Sequence, residues 1–525
     1  MSKEITAQEA ASLIRDHMTV AVGGFGSYSS PDALLQATAD RYEQEGHPKN
    51  LTIVTGVSPG DFQKENGAGL SRLKAEGLLS TLIAGHLGNS PEISAIVGEN
   101  RAAGYLLPLG VVMHLLRAIA GKEPGVLTSV GLGTFADPRH EGCKANDLAK
   151  RQDRDIVELI SICGQEYLFY PAFPIDCCFI RGTYADTAGN ISMRHEALDE
   201  AQLQMAAAVH NNGGIVIVQV EDIVETGNLP AREVRIPRAM VDYVVKAESK
   251  FHMQYYANAG YHPEMTGELR CPTDAISSMP LDVRKVIARR GAMELRPNCL
   301  INLGIGLPSG VGTIANEEGI ADQATLSLES GVFGGVPVPG KGFGGAINPE
   351  AICNAPDTFD FYNGGILDMT FLGAAEVDVH GNVNVSKFGT RCTGPGGFIN
   401  ISQNTPRVFF MMNFTSGMSD ILVEDGKLKI LQDGTGIKFV EQVQQITFSG
   451  DHAVKTGQQI TYITERAVFQ LTKQGLLLTE IAPGIDLERD ILRRMNFRPI
   501  VSETLRSMDS RIFSSEVMGL QQSEK

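Results

Sequence analysis

Leu51-Thr52-Ile53-Val54-Thr55-Gly56-Val57 returns without a gap as Leu326-Ser327-Leu328-Glu329-Ser330-Gly331-Val332. Both are apolar runs of strand length leading into glycine. Runs of this kind, without clean alternation, suit strands buried on both faces of a mainly parallel sheet flanked by helices. Further matches follow in the same order. Val22-Gly23-Gly24-Phe25-Gly26 precedes the first copy, and Leu303-Gly304-Ile305-Gly306 precedes the second. Asp186-Thr187-Ala188-Gly189-Asn190-Ile191 is matched by Asp378-Val379-His380-Gly381-Asn382-Val383, and strong strands follow at 214–219 and 407–412. Matches kept in one order point to a duplicated domain. The expected fold is therefore α/β, with two duplicated open α/β domains at residues 1–246 and 282–525. Residues 247–281 lack helix or strand periodicity and read as an interdomain linker draped over the surface. Asp282 is expected to cap a helix with Val283, Val286 and Ile287 on one face.

A chain of 525 residues exceeds what one hydrophobic core supports, in agreement with two domains. Its formal net charge of −16 repels phosphate backbones, which argues against a nucleic-acid partner. Hydrophobic residues at 43% and charged residues at 20% exclude general disorder. The N-terminus lacks the pattern of a secretory signal, and Thr6 with Glu9 forms a capping-box pattern for a helix running to about Arg15. Apolar runs such as Ile215–Val218 and Val408–Met412 are too short to span a membrane. Eight cysteines occur without a CxxC pair and are expected to be reduced and buried. A soluble, cytoplasmic protein is expected.

The repeat exposes one chemical difference: apolar Val54 in the first copy stands where the second has Glu329. A solvated loop acid is the ordinary reading of a glutamate. The other is that duplication created two sites and only one kept a reactive group. Gly304-Ile305-Gly306-Leu307-Pro308-Ser309-Gly310 resembles a loosened dinucleotide fingerprint. Its third glycine comes one place late and Pro308 occupies the helix entry, so a nicotinamide-dependent dehydrogenase is a remote alternative. His140-Glu141-Gly142-Cys143 and His195-Glu196 lack the second spaced pair a zinc site needs. The loop Thr393-Gly394-Pro395-Gly396-Gly397-Phe398 has few side chains to block its backbone N–H groups, which can face a developing oxyanion. A strand-end carboxylate and such a loop are the two parts of acyl-transfer chemistry.

These segments resemble the family I coenzyme A transferases over nearly the whole chain, and most of all the single-chain short-chain acyl branch of propionate and acetate CoA-transferases. Asp16 through Pro31 looks like the first family signature, with Ser29 in place of its usual third glycine. The stretch 302–308 looks like the GxG motif, Glu329-Ser330-Gly331 the catalytic ExG motif, and Gly394 through Phe398 the GxGGF motif. The segments 131–139, 209–214, 462–469 and 480–486 are also family-like. Where relatives read Pro-Gln-Gly, this chain has Pro108-Leu109-Gly110.

The resemblance implies two CoA-transferase-type domains, with Glu329 of the C-terminal domain as covalent nucleophile. It implies Gly396 and Gly397 as oxyanion-hole backbone and Gly304, Gly306, Gly331, Gly394, Gly24 and Phe25 as substrate-binding residues. It further implies coenzyme A thioester as substrate, no permanently bound cofactor or metal, small-molecule acyl-CoA and carboxylate partners, no membrane partner, and a homodimer or homotetramer. A 3-ketoacid CoA-transferase, or an acyl-CoA hydrolase using the same glutamate, are the alternative activities.

Overall fold

Thr6 and Glu9 close the expected capping box: Thr6 Oγ1 accepts from the Glu9 N–H at 3.1 Å, and Glu9 Oε2 accepts from the Thr6 N–H at 2.8 Å. The helix they start, α1, spans Ala7–Ser12. It stops short of Arg15 because the Leu13 N–H turns back to the Ala10 carbonyl at 3.2 Å and the chain leaves the helix. The computed structural model describes residues 3–258, 260–272 and 278–520.

The chain forms two compact units. The first comprises Met1–Arg270, Glu329–Asp360 and Ser386–Asn400. The second comprises Cys271–Leu328, Phe361–Val385 and Ile401–Lys525. This division does not follow the two sequence halves, and it puts Glu329 in the unit built mainly from the N-terminal half. Bonds between distant segments account for that: Gly110 N–H donates to Asn400 Oδ1 at 3.0 Å, and Arg117 bonds Asp357 at 2.8 Å.

The first unit is built on a seven-stranded parallel sheet. Its strands are β1 (Thr19–Val22), β2 (Leu51–Val57), β3 (Leu79–His86), β4 (Ala103–Leu106), β5 (Cys177–Arg181), β6 (Ile215–Val220) and β7 (Tyr243–Lys246). Their spatial order is β7-β6-β5-β1-β2-β3-β4. Helices α2 (Asp32–Glu45), α3 (Pro91–Gly98), α4 (Leu109–Ala120) and α5 (Gln202–Asn211) connect or flank them.

In the second unit, Asp282 caps helix α6 (Val283–Ala292) by accepting from the N–H groups of Arg284 and Lys285 at 2.8 and 3.0 Å. Val286 and Ile287 are fully buried and Val283 half-buried, as the sequence pattern predicts. The strands here are β8 (Cys299–Leu303), β9 (Ala324–Ser327), β10 (Met369–Gly373), β11 (Arg407–Met411), β12 (Gln459–Ile463), β13 (Ala467–Thr472), β14 (Gly475–Ile481) and β15 (Ile500–Ser507). They lie in the order β9-β8-β10-β11-β12-β13-β14-β15. Their core includes Ile301, Leu303, Met411 and Ile463 and a stacked Phe371–Phe409 pair at 4.8 Å.

The duplication is visible in topology. β2 lies beside β1 as β9 lies beside β8, and β5, β6 and β7 are answered in order by β10, β11 and β12. The two Asp-to-Asn turns repeat bond for bond. Asp186 Oδ1 accepts from the N–H groups of Ala188 and Asn190, and Asp378 Oδ1 from those of His380 and Asn382. In each turn the asparagine amide returns to the aspartate's other oxygen.

The described part of residues 247–281 runs largely along the surface but is anchored at several points. Tyr255 stacks on Tyr28 with ring centroids 5.1 Å apart, the Tyr256 N–H bonds the Ser27 carbonyl, and Met265 is buried. Residues 259 and 273–277 lie outside the described residues. The cysteines depart from expectation too: Cys143, Cys177, Cys178 and Cys392 are buried, but Cys163 and Cys271 are exposed; all are free thiols. No helix among the described residues is long and apolar enough to cross a membrane.

Arg466, within the family-like segment 462–469, is fully buried. It bonds Asp433 through both terminal nitrogens and Glu465 through Nε, and its guanidinium lies over the Phe414 ring at 5.0 Å. Arg466→Met is expected to cost about 3–5 kcal/mol, because buried Glu465 loses its counter-charge and Asp433 keeps only that of Arg494 at 3.3 Å. Exposed Arg493→Met should change stability by less than about 0.5 kcal/mol. Thermal melting of the two variants against the parent checks the contrast.

Candidate active site

Glu329 stands where a strand ends and a glycine turn begins. In the first copy the repeated segment stays in the sheet as far as Val57, and Val54 pairs with Ala21 and Ile83 inside the ladder. In the second copy β9 ends at Ser327, so Glu329 lies beyond the strand. Gly331 makes the turn possible. Its φ of +102° lies where side chains are rarely tolerated, and an added Cβ would sit 2.0 Å from the Cys353 carbonyl oxygen. The Cys353 N–H bonds the Gly331 carbonyl at 2.8 Å, and Val332–Phe333 pairs with Ala351–Ile352.

Ser330, after Glu329, is held by a chain segment that packs on the first-unit loop at 23–30. Ser330 Oγ donates to the Gly344 carbonyl at 2.5 Å, and a Cβ on Gly344 would meet the Phe25 ring at 2.8 Å. Tyr28 Oη donates to the Gly342 carbonyl at 2.5 Å. Gly24 has a φ of +108° and lies against Tyr28 and Pro59. Ser29 adopts a left-handed φ of +53°, the conformation that the family's glycine enters most freely. Its hydroxyl donates to Glu196, which is also paired with buried Arg181. Glu196 is thus held in a buried pair between Ser29 and Arg181.

The glycine loop is held by β3 and the start of α4. The Leu87 N–H donates to the Thr393 carbonyl at 2.7 Å, and His86 Nδ1 meets the Gly394 carbonyl at 3.2 Å. The Gly396 N–H donates to the Gly85 carbonyl at 2.9 Å, and the Gly396 carbonyl accepts from the Leu109 N–H at 2.9 Å. Gly396 is therefore a brace whose N–H is committed, rather than one of two oxyanion donors. The Gly397 N–H faces the Glu329 carboxylate.

Glu329 keeps some accessible surface yet lies deep enough that burial raises its pKa to about 7, against the opposing pull of its own N–H and that of Gly397. His86 is shifted down to about 4, chiefly by burial, so at neutral pH it is an uncharged donor to Gly394. Leu109 is buried, and its Cδ1 lies 2.9 Å from the Cβ position of Gly85, so the residue in place of the expected glutamine is an apolar prop under the loop. Sequence reading did not assign His86; its place at the end of a parallel strand was the available signal.

Glu329, Gly331, Gly394, Gly396, Gly397, Gly24 and Phe25 thus all fall in the first unit. Gly304 and Gly306 belong to the second, at the exit of β8. There the Gly304 N–H bonds the Phe371 carbonyl at 2.8 Å, and Gly306 has a φ of +85° with open space around its Cβ position. A buried, partly ionised carboxylate with a backbone N–H aimed at it can act as a nucleophile whose own carbonyl oxygen, once acylated, already has a donor.

A coenzyme A transferase family model matches residues 4–247. The chain is 45% identical over 525 residues to caffeate CoA-transferase of Acetobacterium woodii, covering 99% of each chain. It is 41% identical over 516 residues to acetate CoA-transferase YdiF of Escherichia coli K12, covering 98% of this chain and 96% of that one. The crystal structure of acyl-CoA transferase YdiF from E. coli O157:H7 as a thioester complex with CoA superposes with a TM-score of 0.92 at 39% identity, covering 99% of this chain and 97% of that one.

Because Glu329 holds its proton more tightly folded than unfolded, its contribution to stability is full below about pH 4.5 and is lost as pH rises to about 7. Glu329→Gln, which cannot ionise, should therefore melt progressively higher than the parent between pH 5 and 7, with no further gain above. Parallel melting curves across that range would place Glu329 in solvent.

Proposed function

Since the chain belongs to the coenzyme A transferase family, we propose that it moves coenzyme A between a short-chain acyl-CoA and a free short-chain carboxylic acid through a thioester on Glu329. The observation that carries this reading is Glu329 placed beyond the end of β9 at the left-handed Gly331 turn, with the Gly397 N–H among the groups that favour its ionised form. In the first step a Glu329 carboxylate oxygen attacks the thioester carbonyl carbon. The carbon–sulfur bond breaks, CoA leaves as thiolate with the electron pair, and an acyl-glutamyl anhydride remains. The thiolate then attacks the glutamyl carbonyl carbon and expels the first acid as its carboxylate. A second carboxylate attacks the glutamyl-CoA thioester and runs the steps in reverse. One thioester is exchanged for another, so the net reaction requires no ATP.

Each attack on the glutamyl carbon places negative charge on the glutamyl oxygen, where a preorganised N–H is worth far more than water. Gly397 is assigned that donor, and Gly396, Gly394, His86 and Leu109 hold it in place. Gly331 and Ser330 orient the nucleophile, with Phe25 and Gly24 behind them. Gly304 and Gly306 are assigned to substrate binding from the family motif. Coenzyme A enters as substrate, no resident cofactor or metal is invoked, and a cytoplasmic homodimer or homotetramer is the proposed assembly. The acetate CoA-transferase among the relatives supports the short-chain assignment, and the CoA thioester complex supports the intermediate.

The test is incubation with acetyl-CoA in the absence of an acceptor acid. The peptide containing Glu329 should gain the mass of CoA, and borohydride should reduce that thioester and abolish activity. Glu329→Ala should form no adduct and lose at least about 10³-fold in transfer with its fold intact. Label on another residue would overturn the assignment, and free CoA thiol accumulating without acceptor would identify a hydrolase. Gly397→Val should lower kcat by about 10²–10³-fold, the loss of one oxyanion donor, with an unchanged circular dichroism spectrum.

A further inference from the structure

Against the loop that packs behind the nucleophile the first unit buries two polar side chains that the mechanism above does not use. Glu200 is 4% exposed, and its Oε1 has no hydrogen-bond partner within the protein. Gln202, the first residue of α5, is 1% exposed, and both its Oε1 and its Nε2 lack partners. Buried polar groups are normally bonded, so an unsatisfied acid and amide two residues apart call for a ligand.

Their position is defined by three contacts. Gly23 lets the Gln202 amide approach the loop before Gly24 and Phe25: a Cβ there would lie 2.5 Å from Oε1 and 2.9 Å from Nε2. Leu198 lies 3.7 Å from the Cβ position of Gly344, on which the Phe25 ring also packs, and the Gly344 carbonyl holds Ser330 beside Glu329. The Glu329 charge also reaches the Glu200 carboxyl.

We propose, building on the CoA-transfer reading, that Glu200 in its neutral acid form and Gln202 are a pair of hydrogen-bond donors that hold the carboxylate of the free acid substrate beside Glu329. A protonated carboxyl suits this task. An arginine would bind the incoming carboxylate but would also hold Glu329 in an ion pair and blunt its nucleophilicity. A neutral O–H and an amide N–H bind an anion without adding positive charge. The ionisable groups acting on Glu200 keep its proton in place. Burial is the main cause, the charges of Asp199 and Glu329 add to it, and the pKa rises to about 8. Asp199 is itself raised by burial, while Arg235 at 3.5 Å favours its charged form.

The experiment uses enzyme–CoA thioester made with acetyl-CoA, freed of excess donor and mixed with increasing acetate. In Glu200→Ala and in Gln202→Leu the acetate concentration giving half-maximal regeneration of acetyl-CoA should rise at least about ten-fold. The rate at saturating acetate should stay within about three-fold, a split that general loosening of the fold would not give. Glu200→Gln, which retains an N–H donor and the shape of the acid, should stay within about three-fold of the parent. In the parent the half-saturating acetate concentration should rise with pH as Glu200 ionises; in Glu200→Gln it should not. Normal acetate dependence in an adduct-forming Glu200→Ala overturns the proposal. If that variant does not fold, a parent half-saturation that is flat from pH 7 to 9 overturns it instead. Absence of any CoA adduct in the parent overturns the underlying CoA-transfer reading, and this proposal with it.

Discussion

The burial of one carboxylate, opposed by two backbone N–H groups, its own and that of Gly397, is the constraint on which the rest of the site depends. Glu329 is deep enough to be held near neutrality in pKa, and the Gly397 N–H keeps its ionised form accessible. A carboxylate is a weak nucleophile when water surrounds it, so depth favours the chemistry; without a fixed donor the same depth would raise its pKa further. The strand end at Ser327, the left-handed Gly331 and the Ser330–Gly344 bond all hold Glu329 at that depth. The bonds from Gly85, His86 and Leu109 hold the donor.

Duplication supplied the scaffold and divergence supplied the site. The Asp186 and Asp378 turns have kept the same hydrogen bonds, and the matched main-sheet strands keep the same order. At the repeated segment the copies part. Val54 remains inside a ladder that continues to Val57, whereas the second strand ends early and releases Glu329 from the sheet. A polar side chain inside a ladder between two strands of a buried parallel sheet would be costly to desolvate. A carboxylate beyond the ladder can meet substrate instead.

The ionisable groups around the site are shifted mainly by loss of water. Burial keeps His86 neutral and raises Glu329 and Glu200. His86 therefore acts through its bond to Gly394 and not as a base, which agrees with chemistry in which no proton has to be taken from the nucleophile.

Local patterns were legible in the sequence because their physical cause is local. The repeat, the buried-strand runs, the Thr6–Glu9 box, the Asp282 cap, the acid at a strand end and the glycine loop all follow from spacing along the chain. What only the tertiary structure decided depends on partners distant in sequence. Gly396 and Gly397 look equivalent as neighbours, but a carbonyl on β3 occupies the N–H of one and leaves the other to Glu329. The segment after residue 247 has no periodicity of its own, yet Tyr255 is ordered by stacking on Tyr28. Glu200 and Gln202 read as ordinary polar residues at a helix start. Their burial without partners is decided by the 23–25 loop and the chain around Gly344, because a side chain's solvent and hydrogen bonds are set by whatever the fold brings against it.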